Sequence, residues 1–257
     1  MLHLVEEGAG SRVVLVHGFT QTLRSWDPVA ARLVTRRSVA RVDLPGHGGS
    51  APVRLDFVET TAALGAVGGE AAYVGYSLGG RLCLRLALDR PDLVTALVLL
   101  GASPGLADPA ERAARREADE ALAATVERDG TAAFLEHWLA GALFAGLRPA
   151  PADLAARRAN PPDGLAAALR RLGTGVQDPL WDRLRELRPP VLLVAGAEDV
   201  KFVALAHEMA ERIGPSTAVA VVPAAGHAAH LERPEEVAGL VERFLDGHQS
   251  LPLRSGT

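Results

Sequence analysis

A chain of 257 residues with 48% apolar content is long enough to bury one large α/β core, or such a core with an inserted subdomain. A formal charge of −4 and a pI near 6.1 exclude the basic footprint of a nucleic-acid-binding domain. The single cysteine, Cys83, excludes a disulfide framework, and without a basic-plus-apolar leader or an apolar run of membrane-spanning length the expectation is a soluble cytoplasmic protein.

In chain order, residues 2–6 alternate and predict an edge strand. Residues 12–17 form a nearly continuous apolar run, as expected of a buried strand, and end at His17-Gly18-Phe19-Thr20. Residues 26–33 have helical spacing after Ser25, a candidate cap. Residues 38–43 predict a strand that ends in a loop rich in Gly and Pro, Asp43 to Ser50. Residues 57–67 predict a helix, 71–74 a strand, 78–88 a helix with apolar positions 82, 83, 86 and 87, and 93–100 another buried strand. This alternation predicts a parallel sheet covered on both faces, the α/β class.

Residues 105–184 break the pattern. They are rich in Ala, Arg and Leu, and predict four helices at 108–126, 131–144, 152–158 and 164–172. They are expected to form a helical cap inserted into a core of residues 1–104 and 185–250. The alternation then resumes with strands at 190–196 and 217–222 and helices at 202–213 and 235–245; residues 251–257 are expected to be a loose tail.

The chemistry concentrates at Gly75-Tyr76-Ser77-Leu78-Gly79, a G-x-S-x-G between a strand and a helix. Glycines on both sides allow a sharp turn that exposes the serine hydroxyl, and the helix N-terminus behind it favours negative charge. A serine hydroxyl is inert at neutral pH without a base, and the base needs an acid to orient it. Downstream strand ends supply both: Asp199 follows one strand and His227 the next. Glu198 is a rival acid. His230 is a rival base, although its place inside a helical stretch suggests a lining or surface residue. A His227/His230 metal pair lacks the carboxylate or cysteine partners of a metal site. The two N–H donors of an oxyanion hole are expected from Phe19 and Leu78. His17 reads as a structural loop residue in preference to a pocket wall.

Cationic side chains follow the serine. Arg81 is four residues beyond it, Arg112 and Arg115 are three apart and so share a helix face, Arg116 flanks them, and Lys201 is the one lysine among 27 basic residues. Guanidinium groups bind carboxylates bidentately and keep their charge when partly dried. This cluster points to a small polycarboxylate substrate.

His-Gly-Phe, Asp-Leu-Pro-Gly-His-Gly-x-Ser, Gly-Tyr-Ser-Leu-Gly-Gly, Gly-x-x-Asp and Gly-His occur in the order and spacing of the α/β-hydrolase superfamily, which the chain resembles over nearly its whole length. Within it, Gly75 to Arg81, Pro104-Gly-Leu with Glu111 to Arg115, Phe134-x-x-x-Trp138 and Asp199-Val-Lys-Phe202 are similar to the 2-succinyl-6-hydroxy-2,4-cyclohexadiene-1-carboxylate synthases of menaquinone biosynthesis. The resemblance implies a lyase that eliminates pyruvate with no cofactor, Ser77 acting as a base and charge on a substrate carboxylate being held by Phe19 and Leu78. It also implies a pocket in which cap arginines and Lys201 hold carboxylates, Trp138 lines the wall, Tyr76 takes part in substrate binding, and Arg158 with Asn160 supplies another carboxylate contact. Leu139 stands where the family often has tyrosine. A serine hydrolase of an acidic ester, thioester or C–C bond, or a catalytically silent binding protein, are the alternatives; monomer and homo-oligomer both remain open.

Overall fold

The computed structural model describes residues 1–249, so residue 250 and the tail expected at 251–257 lie outside the described residues. Seven strands are found among them: β1 (Leu4–Glu7), β2 (Arg12–Val16), β3 (Ser38–Val42), β4 (Ala71–Tyr76), β5 (Val94–Leu100), β6 (Val191–Gly196) and β7 (Thr217–Val222). They form one sheet in the order β1-β3-β2-β4-β5-β6-β7. Only β1, at the edge, runs antiparallel to its neighbour.

The apolar runs are continuous because both faces of the central strands are covered. Val14 and Val16 of β2 enter one core, with α2 (Phe57–Gly68) and α3 (Leu78–Asp89). Val13 and Leu15 point the other way, into a core closed by α1 (Asp27–Leu33) and α9 (Pro234–Gln249). Cys83 is fully buried in α3, where burial pushes its thiol pKa up, so it serves as a small core side chain.

One predicted start is corrected. Ser25 does not cap α1. Residues 23–26 form a 3₁₀ turn capped by Thr22, and the buried Ser25 hydroxyl instead donates to the Asp153 carboxylate.

Between β5 and β6 the chain runs through α4 (Pro109–Ala140), α5 (Pro151–Arg158) and α6 (Pro162–Leu172). Gly130, at φ +80°, breaks α4 within its length, in the gap between the first two predicted helices. Val126, Phe134, Leu165 and Leu169 form a small apolar core of their own between α4 and α6. After β6 come α7 (Val200–Ile213), predicted at 202–213, and the short α8 (Ala229–Glu232), the helical stretch expected around His230. Among the described residues no helix is long and apolar enough to cross a membrane.

Candidate active site

Ser77 sits where β4 turns directly into α3. Its φ of +49° and ψ of −108° are a strained conformation for a residue with a Cβ. The turn holds because its neighbours are glycine: a Cβ on Gly79 would lie 2.3 Å from the carbonyl oxygen of Val16, and one on Gly75 2.6 Å from the Gly79 backbone. The Ser77 N–H donates to the carbonyl of Leu100 at 2.9 Å, tying the turn to β5.

His227 lies on the loop after β7. Its Nε2 is 3.3 Å from Ser77 Oγ, and its Nδ1 is 2.7 Å from Asp199 Oδ2. Asp199 follows β6 and caps α7, its other oxygen accepting from the N–H of Phe202 at 3.4 Å. Glu198 is exposed and makes no bond to the imidazole. The expectation of a lining or surface position for His230 is corrected: the ring is fully buried between Trp26 and Tyr76, with centroids 4.6 and 4.3 Å away, and faces Gln21 Nε2 at 3.3 Å. Packing of α8 against the residues before α1 puts it there.

Sequence reasoning missed Glu232. Its carboxylate accepts from the N–H of Gly226 at 2.9 Å and of Ala228 at 3.2 Å, so it grips the backbone on both sides of His227. A lone glutamate after an apolar stretch carries no signal of that role.

Of the amides from Gly18 to Gln21, Gly18 N–H donates to Gln21 Oε1 at 3.0 Å, Thr20 N–H to His47 Nε2 at 3.2 Å and Gln21 N–H to the carbonyl of Gly18 at 3.2 Å. Phe19 is left without a backbone partner among the described residues, as is Leu78 at the start of α3. Both residues border the same cavity as Ser77. Two neutral imidazoles brace this loop. His17 Nδ1 donates to the carbonyl of Gly18 and its Nε2 accepts from Leu44 N–H; His47 Nδ1 donates to the carbonyl of Pro45. Burial lowers both pKa values, that of His47 to about 3, so each keeps the acceptor nitrogen these bonds need.

The cavity over Ser77 measures about 230 Å³, and Tyr76, Trp138 and His227 form part of its wall. Arg81, Arg115 and Lys201 also line it. Arg81 is 8% exposed; its Nη1 donates to Gln177 Oε1 at 2.8 Å and its Nη2 to the carbonyl of Leu172 at 2.7 Å. Burial, reinforced by the like charge of Arg115, pulls its pKa down to about 9, which leaves it cationic at neutral pH. Arg115 is held by Asp119 through a 2.8 Å bond from Nε. Lys201 is exposed on the first turn of α7.

Other arginines expected at the pocket do not line it. Arg112 turns back to the carbonyls of Leu106 and Ala107, at 2.9 and 2.8 Å, because the turn before α4 leaves those oxygens free. Arg116 donates to the carbonyl of Gly175. Arg158 is half-exposed and lies 3.8 Å from Glu136. Asn160 is buried, with its amide committed to backbone groups. Leu139 packs against the apolar core on the α1/α9 face.

Residues 13–240 match the Alpha/beta hydrolase family. The chain is 32% identical to the 2-succinyl-6-hydroxy-2,4-cyclohexadiene-1-carboxylate synthase of Serratia proteamaculans, over 94% of this chain and 96% of the relative. It is 34% identical to the synthase of the same name from Salmonella arizonae, over 91% and 93%. The solved structure of MenH from S. aureus matches with a TM-score of 0.90 and 30% identity, covering 97% of this chain and 100% of that one. Similarity of this extent, in sequence and in backbone alike, means that the chain belongs to the alpha/beta hydrolase family and groups within it with the 2-succinyl-6-hydroxy-2,4-cyclohexadiene-1-carboxylate synthases.

Proposed function

We propose that the chain eliminates pyruvate from 2-succinyl-5-enolpyruvyl-6-hydroxy-3-cyclohexene-1-carboxylate to give 2-succinyl-6-hydroxy-2,4-cyclohexadiene-1-carboxylate, a step of menaquinone biosynthesis. One observation carries this reading. Arg81, Arg115 and Lys201 line the same cavity as Ser77 and His227. The substrate carries three carboxylates, on the ring, on the succinyl arm and on the enolpyruvyl group, and guanidinium and ammonium groups are their natural partners.

The positions named in substrate and product define the electron flow. The proton at C2 is acidic because it neighbours the succinyl ketone. His227, oriented by Asp199, accepts the Ser77 proton as the serine oxygen takes the C2 proton. The C2 electrons form the C2–C3 double bond, the C3–C4 pair moves to C4–C5, and the C5–O bond breaks. Enolpyruvate regains a proton from His227 and tautomerises to pyruvate. The C2 carbanion is shared with the succinyl ketone as an enolate, so charge develops on the ketone oxygen, in place of the carboxylate that the resemblance implies, and Phe19 and Leu78 N–H can hold it there. We take the 105–184 insertion as the cap that closes over this substrate, and a cytoplasmic setting belongs to the same proposal.

The test is pyruvate release, followed through NADH oxidation by a coupling dehydrogenase. Wild type should turn the substrate over, Ser77→Ala should lose about a thousandfold or more in kcat, and Arg115→Ala should lose mainly in KM. Background rates from wild type would sink the proposal. A serine hydrolase for an acidic ester remains the second reading, supported by the 3.3 Å Ser77–His227 approach. A burst of acyl-enzyme from an activated ester, without pyruvate release, would select it.

A further inference from the structure

Asn160, 2% exposed on the turn joining α5 to α6, connects three separate segments. Its Nδ2 donates to the carbonyl of Thr20 at 2.9 Å and its Oδ1 accepts from Gly48 N–H at 2.8 Å. Its backbone carbonyl accepts from the Thr131 hydroxyl at 2.7 Å, immediately after the break in α4 at Gly130. The amide therefore spends both ends on the core while its backbone is tied to the long helix above.

The residue it grips is unusual. Thr20 has φ +68°, a left-handed conformation that is unfavourable for a β-branched side chain and persists only when its surroundings over-determine it. Here they do. Its N–H goes to His47, its carbonyl to Asn160, and its hydroxyl accepts from Arg157 Nη1 at 3.0 Å. Two of those three holds come from the α5–α6 segment. On the other side of Phe19, the Gly18 N–H is fixed by Gln21. The Phe19 N–H shares a rigid peptide plane with the Gly18 carbonyl, which accepts from His17 Nδ1 at 2.8 Å and from Gln21 N–H at 3.2 Å. Gln21 N–H in turn shares a plane with the Thr20 carbonyl that Asn160 holds, so Asn160 acts on the Phe19 amide through these two planes.

We infer that Asn160 is a positioning residue: by holding Thr20 in its left-handed conformation it sets the direction of the Phe19 N–H, so that the segment joining α5 and α6 governs one of the two donors beside Ser77. This rests on the reading of Phe19 N–H as a donor to developing negative charge, and is independent of which substrate carries that charge. The role requires a donor and an acceptor on one short side chain. Aspartate keeps the shape and the Gly48 contact but places a carboxylate oxygen against the carbonyl of Thr20, which repels it.

Phenylboronic acid reads this directly, because Ser77 Oγ bonds to boron, the serine proton passes to His227, and the tetrahedral boronate presents a negative oxygen to both amides. In ¹⁵N-labelled full-length wild type, the amide protons of Phe19 and Leu78 should both move downfield on addition. In Asn160→Asp, the Leu78 shift should persist, the Phe19 shift should vanish, and boronate affinity should fall about tenfold, as for loss of one charge-assisted hydrogen bond. Wild-type shifts at both amides in a folded Asn160→Asp protein would overturn the inference. A wild-type Phe19 amide that does not respond would overturn it too, whatever the pyruvate assay gives. Should Asn160→Asp melt below the working temperature, Thr131→Val decides: it touches only the helix side of Asn160, and a reduced Phe19 shift supports the inference while an unchanged one refutes it.

Discussion

Arg81 is held by Gln177, whose Oε1 accepts from Nη1 at 2.8 Å across 96 residues of sequence. Gln177 is 1% exposed and so cannot be replaced there by water without rearrangement. With Nη2 on the carbonyl of Leu172, the guanidinium is fixed at the edge of the cavity. Burial and Arg115 both disfavour its charge, so an arriving carboxylate relieves a cost already present in the folded protein.

Gln177→Leu should therefore act on binding. It removes the acceptor that orients Arg81 but leaves Ser77, Asp199 and His227 in place. We expect KM for the cyclohexene substrate to rise about tenfold, equivalent to about 1.4 kcal/mol, with kcat within about twofold. An unchanged KM would remove Arg81 from the substrate contacts.

The cap arginines separate in the same assay. Arg115→Ala should raise KM about tenfold or more, whereas Arg112→Ala and Arg158→Ala should stay within about twofold of wild type. Loss of the Arg112 bonds to the turn before α4 should show instead as lower thermal stability, by about 1 kcal/mol. A KM increase for Arg112→Ala matching that of Arg115→Ala would mean that the cap rearranges around substrate.

That contrast marks how far the sequence could be read. Buried strands announced themselves as apolar runs, and Ser77, Asp199 and His227 stood at strand ends where local turn chemistry picks them out. Helical spacing placed Arg112 and Arg115 on one face, but not which side of that face meets the cavity; free carbonyls at Leu106 and Ala107 decided it. Gln177 and Glu232 were illegible for a related reason, and Asn160 was expected on a substrate carboxylate, whereas it holds the Thr20 carbonyl. Each is an ordinary polar residue locally, and acquires its role from a partner brought near by the fold, as Asn160 does from Thr20 at a separation of 140 residues.

Placement of the base should be sensitive to two residues with no chemical role in the proposed reaction. Gly101 has φ +52°, and a Cβ there would lie 2.9 Å from His227 Cε1. Gly101→Ala should push the imidazole off Ser77 and lower kcat by about a hundredfold, the scale of a 1 Å misplacement. Glu232→Gln keeps an acceptor for one of its two backbone N–H groups and turns an amide toward the other, so kcat should fall by a smaller factor, about tenfold, with the base left in the site. Both proteins should be compared by kcat at saturating substrate; equal rates would mean that the His227 loop is held elsewhere.

Stability should fall with acidification earlier than carboxylate titration would dictate. His17, His47 and His230 are fully buried and their pKa values are lowered, chiefly by desolvation; that of His47 is about 3. In the unfolded chain each titrates near about 6.5. Below that pH the unfolded state binds protons that the folded state refuses, so the unfolded protein gains and stability drops as pH falls; above it neither state is protonated and the effect is absent. His47 alone should contribute a slope of up to about 1.4 kcal/mol per pH unit below pH 6, and His17 and His230, whose pKa values are also lowered, add to it with the same sign. Urea unfolding at pH 8, 7, 6 and 5 checks this, and His47→Gln should reduce the slope. A stability that is flat from pH 8 to pH 5 would mean that these imidazoles accept protons without unfolding, and that the neutral His47 Nε2 is not what holds the Thr20 amide.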